Sequence, residues 1–143
     1  MQEQEEVQAP LISLLILAAR IVEREFAEAL APFSLAPAQF AIIDLLDRTG
    51  DLRPAVIARA LDVETSTITL SLKRAERDGL VSRVPDPTDA RSILISLCPD
   101  GLDRLLPARK AMTAVEDRLT EGLTQEHRAA LRFAMNLITK QRR

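Results

Sequence analysis

A chain of 143 residues with 47% hydrophobic and 28% charged side chains has the composition of one globular folding unit and is too short for two independent cores. Its 19 Lys and Arg nearly balance 21 Asp and Glu, for a net charge of −2, so no global field draws it to nucleic acid or to an anionic membrane; any such surface is local. The single cysteine, Cys98, excludes an internal disulfide and a cysteine metal site, and it fits a reducing compartment.

The opening decapeptide MQEQEEVQAP carries three glutamates and no Lys or Arg, unlike the basic leader of a signal peptide. The apolar run LISLLILAARIV that follows, interrupted only by Ser13 and Arg20, falls short of the roughly 20 residues a bilayer span needs. A buried helix and a cytoplasmic protein are expected. That first helix, Leu11 to Ala31, ends near Pro32 and is apolar on nearly every face, more than one small domain covers. A second copy of the chain would cover it.

Pro37 suits a first helical position, and FAIIDLLDR puts Phe40, Ile43 and Leu46 on one stripe before Gly50 stops the helix. Pro54 opens a short third helix, PAVIARAL. A fourth, Thr65 to Asp78, has Ile68, Leu72 and Ala75 at i, i+4 and i+7 and stops at Gly79. Two β-branched runs, VSRV and RSILISL, are joined by the turn PDPTDA. Pro99 then starts a long helix to about Glu121, with Gly122 as its stop and Pro107 expected to bend it. The last helix follows Thr124, a good N-cap, and carries Ala130, Leu131, Ala134, Met135, Leu137 and Ile138 on a broad apolar face before ending in KQRR.

The third and fourth helices, linked through LDVE, have the lengths of a helix-turn-helix, with Asp62 where the link needs a left-handed residue. A hairpin directly after such a unit is a wing, its first strand packed beside the helices and its turn projecting outward. At about 100° per residue the inward stripe of the fourth helix leaves Ser66, Thr69, Leu70, Lys73 and Arg77 on the far side, flanked by Arg74. Hydroxyls and cations on one face suit base edges and phosphates, although Glu76 and Asp78 intervene and a plain solvated face has the same look.

The run from Ile57 to Gly101 resembles the winged helix-turn-helix of the MarR family of bacterial transcriptional regulators. Its marks are LAPAQFAIIDLL before the motif, STIT and RDGLVSR in and after the recognition helix, DPTDARS in the wing, and ISLCPDG at the close. The match in arrangement and length extends over essentially the whole chain. The resemblance implies a mainly α fold with a small β-hairpin wing. Residues 1–34 would form an N-terminal dimerisation helix, 35–98 the DNA-binding region and 99–143 the C-terminal dimerisation helices, in one folding unit. It implies a homodimer on double-stranded DNA with an inverted repeat, acting as a repressor released by a small aromatic or phenolic effector. The implied contacts are Thr65, Ser66, Thr67, Thr69, Lys73, Arg74 and Arg77 in the major groove, with Arg91 and its neighbour Asp89 at a minor groove. No cofactor, metal or catalytic residue is implied.

Several positions depart from the family pattern. Leu70 stands where an arginine is usual, and Ala90 where a second wing arginine is common, so two groove cations are missing. Ser71 and Ala75 replace larger aliphatics, which predicts a more loosely seated recognition helix. Cys98 replaces the usual threonine; since oxidant-sensing members carry their cysteine near the N-terminus, a structural cap is expected.

Against these stand an enzyme and a winged-helix module that binds only protein. For the enzyme the sequence offers little: the sole histidine, His127, sits in the charged turn QEHRAA, where solvation or capping is its expected role, and four glycines make no phosphate loop. The pairs Glu5 with Glu6 and Glu25 with Glu28 suit solubility. No Tyr or Trp marks an effector pocket; Phe26, Phe33 and Phe40 could line an apolar cavity or be plain core.

Overall fold

The computed structural model describes residues 9–141. Residues 1–8, with Glu5 and Glu6, and the last two arginines lie outside them. The chain runs α1 (Leu11–Leu30), a 3-10 turn (Ala31–Phe33), α2 (Pro37–Thr49), α3 (Pro54–Ala60), α4 (Thr65–Arg77), β1 (Val81–Asp86), β2 (Asp89–Leu97), α5 (Pro99–Leu119) and α6 (Gln125–Lys140). This is the expected mainly α fold with one hairpin.

Local chemistry explains most boundaries. Pro37, Pro54 and Pro99 each open a helix at the position where a missing N–H costs nothing. α3 ends in a left-handed Asp62 (φ 51), with Val63 N–H donating to Ala58 (3.0 Å) and Asp62 N–H to Arg59 (3.3 Å). Gly79 (φ 75) ends α4 the same way, Leu80 N–H donating to Ala75 (2.9 Å) and Gly79 N–H to Glu76 (3.1 Å). Thr124 caps α6 by accepting from His127 N–H (3.2 Å), while His127 Nδ1 accepts from Thr124 N–H (3.3 Å). α5 runs through Pro107 without a break and stops at Leu119, about half a turn before the expected end.

One core joins the end of α1 to the winged unit: Leu30, Ile42, Ile43, Ile57, Leu72, Leu80, Ile95 and Leu105 are fully buried together. Phe26, Phe33 and Phe40 pack against it, Phe26 and Phe40 edge to face at 5.4 Å, which makes them core. Ile68, Leu72 and Ala75 are at most 2% exposed, so Ser71 and Ala75 do not loosen the seat of α4.

Both ends remain uncovered. Leu11, Ile12, Leu14, Ile16 and Leu17 of α1 and Leu131, Phe133, Leu137 and Ile138 of α6 are exposed, Leu11 by 72% and Phe133 by 67%, and α6 has no buried residue. No single helix among the described residues is long and apolar enough to cross a membrane; α1 and α2 qualify only as a pair bent by 76°, and α2 is built into the core.

Candidate nucleic-acid interface

α3, the Asp62 turn and α4 form a helix-turn-helix, and β1 and β2 follow α4 directly. The buried stripe of α4 fixes which face is free. Thr65, Ser66, Thr67, Thr69, Leu70, Lys73, Arg74 and Arg77 are all exposed. Their chemistry is not uniform. The Thr69 hydroxyl donates back to the Thr65 carbonyl (2.8 Å), which leaves its methyl and oxygen lone pairs outward. Arg77 Nε donates to Asp78 (3.1 Å) at the end of the helix, and Asp78 also accepts from Gln39 (2.7 Å). These bonds hold the Asp78 carboxyl below the usual carboxylate range, Arg77 being the larger cause. Lys73 and Arg74 make no ion pair within 4.0 Å among the described residues, so both are available to an anionic partner.

The wing is an antiparallel hairpin paired Val81↔Leu97 through Pro85↔Ile93, then Asp86↔Asp89. The register shifts between Pro85 and Asp86, where Pro85 has no N–H to donate, and residues 90–92 fall outside the ladder. Arg91 therefore rides a bulge at the tip, exposed and without an ion pair among the described residues. Asp89 closes this bulge: it accepts from Arg91 N–H (3.0 Å) and from the Ser92 hydroxyl (3.1 Å). These two bonds shape the turn.

The turn PDPTDA is exposed at every residue but one. Within PDPTDA the second residue, Asp86, is 7% exposed, because it accepts from Thr88 N–H (2.9 Å) and hydroxyl (2.7 Å) and from Arg53 Nε and Nη2 (3.0 and 2.6 Å). Those donors, the Thr88 amide and hydroxyl first and the arginine after them, hold the Asp86 carboxyl down to about 2. The strands are also longer than VSRV and RSILISL, leaving only Pro87 and Thr88 between them. Beside them Leu52 pairs with Ile95, so the residues before α3 brace the wing as a third, one-residue strand.

Arg53, Asp86 and Gln39 were not singled out as site residues in the sequence. The Asp86–Thr88 bonds form an Asx turn, for which Asp-Pro-Thr is a readable signal. The Arg53 partner, 33 residues earlier, has none. A further ion-pair strut joins the winged unit to α5, where Arg109 donates to Asp44 (2.8 Å) and Asp47 (2.6 Å) of α2. Cys98 occupies the N-cap of α5 and is half-buried, but its side chain makes no capping bond; its backbone N–H donates to Leu80 (2.9 Å). Cys98 thus stands at the expected cap position, tied in through its backbone.

A cleft of about 930 Å³ opens between the α3–α4 turn and the last turns of α6, lined among others by Val56, Arg59, Leu61, Val63 and Ile138. It lies where the winged unit meets a terminal helix.

Known proteins match this arrangement. Residues 35–93 match the MarR family profile. The chain is 31% identical over 108 residues to the transcriptional repressor MdtR of Bacillus subtilis, covering 73% of this chain and 68% of MdtR. Among solved structures, the transcriptional repressor CouR bound to a 23-mer DNA duplex superposes with a TM-score of 0.86 at 31% identity, over 97% of this chain and 99% of CouR. A cysteine mutant of MarR from E. coli complexed with operator DNA gives a TM-score of 0.84 at 25% identity, over 90% and 93% of the two chains. The chain belongs to the MarR family of transcriptional regulators.

Proposed function

We propose that this protein regulates transcription by binding double-stranded DNA as a homodimer, reading an inverted repeat and acting as a repressor in the cytoplasm. The observation that carries the reading is the free face of α4. Ser66, Lys73 and Arg77 stand opposite the buried stripe with Arg74 flanking them, and the bulged wing presents an exposed Arg91 on an adjoining element. Hydroxyls and a helix of this length fit a major groove, and a wing arginine fits the narrower minor groove. Thr65, Ser66, Thr67 and Thr69 would approach base edges, Lys73, Arg74 and Arg77 the phosphates, and Asp89 would hold the bulge from which Arg91 reaches in.

The division of labour follows burial. Residues 35–98 carry the DNA-binding unit, while the exposed apolar faces of α1 and α6 exceed what a monomer of this size leaves in water and call for a second copy. A small aromatic or phenolic anion is the effector class in keeping with the family, and the cleft between α3 and α6 offers it apolar walls and the Arg59 cation, with Asp62 the carboxylate in the same lining. The repressor assignment leans on MdtR and CouR, both named as repressors.

Titration with duplex DNA at rising salt tests this reading. Three or four phosphate contacts from each of two chains predict a log–log salt slope between about −5 and −7. A slope shallower than about −2, or no binding at low salt, would favour a winged-helix module that binds only protein.

A further inference from the structure

The free face of α4 has an apolar centre. Leu70 is 52% exposed, and at about 100° per residue it lies about 160° around the helix from both Ile68 and Leu72, so it points almost directly away from the core. Its helical neighbours at i−4, i−3, i+3 and i+4 are Ser66, Thr67, Lys73 and Arg74, all exposed. An isolated exposed leucine on a protein surface needs no explanation. This one is ringed by the hydroxyls and cations assigned to DNA, and seating them on a duplex drives Leu70 against whatever lies at the floor of the groove.

The floor of a major groove offers donors and acceptors at every base pair and one apolar group, the 5-methyl of thymine. A leucine pressed onto an amino group or a carbonyl would strip its water and return no hydrogen bond, a cost that pressing onto a methyl avoids. We propose that Leu70 is a specificity-determining residue that reads a thymine methyl group at one fixed position in each half-site. This rests on the DNA-binding reading above. In that complex Ser66 and Thr67 flank the same base step, and Lys73 and Arg74 fix the helix on the backbone so that the leucine has a single register.

The test removes the methyl and nothing else. A duplex is first selected from a random library with the wild-type protein, and each thymine is then replaced in turn by 2′-deoxyuridine, which keeps the pairing and the carbonyl edge. Wild type should lose about fourfold in affinity at one thymine per half-site, the worth of one buried methyl group, and about fifteenfold when both half-sites are substituted. Leu70→Ala should bind the thymine and uracil duplexes equally, and Leu70→Met should restore most of the discrimination. Because the side chain is exposed, each variant should melt with the wild type. No sensitive thymine in the wild type, or a sensitivity that Leu70→Ala retains, overturns the methyl readout while leaving DNA binding intact. A protein that retains no duplex from the library overturns the regulator reading and this inference together.

Discussion

Replacing Gly101 by alanine should destabilise the protein, although glycine-to-alanine inside a helix ordinarily stabilises it by about 1 kcal/mol. Gly101 is buried in the first turn of α5, where the helix crosses the junction of α4 and β1. A Cβ there would lie 2.8 Å from Leu97 Cδ1 and 3.2 Å from the Leu80 carbonyl carbon, and closer still to the Leu80 oxygen. That oxygen cannot easily withdraw: it accepts from Cys98 N–H (2.9 Å), Leu80 N–H donates to Ala75, and the Leu80 side chain is fully buried. Overpacking against backbone belongs at the upper end of the usual range, about 3 kcal/mol, which leaves a net loss of about 2 kcal/mol after the propensity gain. For a chain of this size the melting temperature should fall by roughly 6–8 °C. Thermal unfolding followed by circular dichroism measures it, at fixed protein concentration because a dimer melts according to its concentration. Gly122, where an added Cβ meets nothing within 4 Å, supplies the control: Gly122→Ala should melt with the wild type. A Gly101→Ala protein as stable as the wild type would refute the close approach of α5 to Leu80 and with it the rigid joint between the winged unit and the terminal helices.

Other consequences concern the DNA face and its brace. Arg91→Ala should weaken operator binding by roughly 1–3 kcal/mol with an unchanged melting temperature, since the side chain is exposed at the tip of the wing; equal affinity in a gel-shift titration would remove it from the interface. Lys73→Ala should lower the salt slope by about one unit for each chain bound and weaken all sequences alike, whereas an altered sequence preference would make it a base reader. Asp86 titrates well below an unfolded aspartate, so the stability it lends is present above the ordinary carboxylate range and is lost as pH falls through about 2. The melting-temperature gap between wild type and Asp86→Asn should accordingly be constant from pH 7 to 5 and close between pH 4 and 2; a gap that widens on acidification would reverse the sign. Cys98→Ser should bind DNA normally, and peroxide should not release the wild type; peroxide release that disappears in the variant would make the thiol a sensor.

The features legible in the sequence are those set by a few neighbouring residues. Helix starts at Pro37, Pro54 and Pro99, the stop at Gly79, the left-handed Asp62 and the Thr124 cap all depend on backbone chemistry within four residues, and each stands where it was expected. The exposed face of α4 followed from period alone. What could not be read depends on partners far along the chain. Asp86 belongs to a turn expected to project outward, and nothing local reveals that Arg53 reaches it; Gln39 likewise bonds to Asp78 from 39 positions away. Looser seating of α4 was expected from Ser71 and Ala75 alone, but Leu80 and Ile95 complete the same core and the stripe stays sealed.

The claim that a two-fold pair of chains reads DNA is tested most directly by selecting bound fragments from genomic DNA with the purified protein and measuring the mass of the resulting complex by sedimentation. The account predicts an inverted repeat with half-site centres about one helical turn apart, roughly 34–36 Å, and two chains on each duplex. Recovery of asymmetric sites carrying one chain, from a protein that sediments as a folded monomer at micromolar concentration, would contradict it.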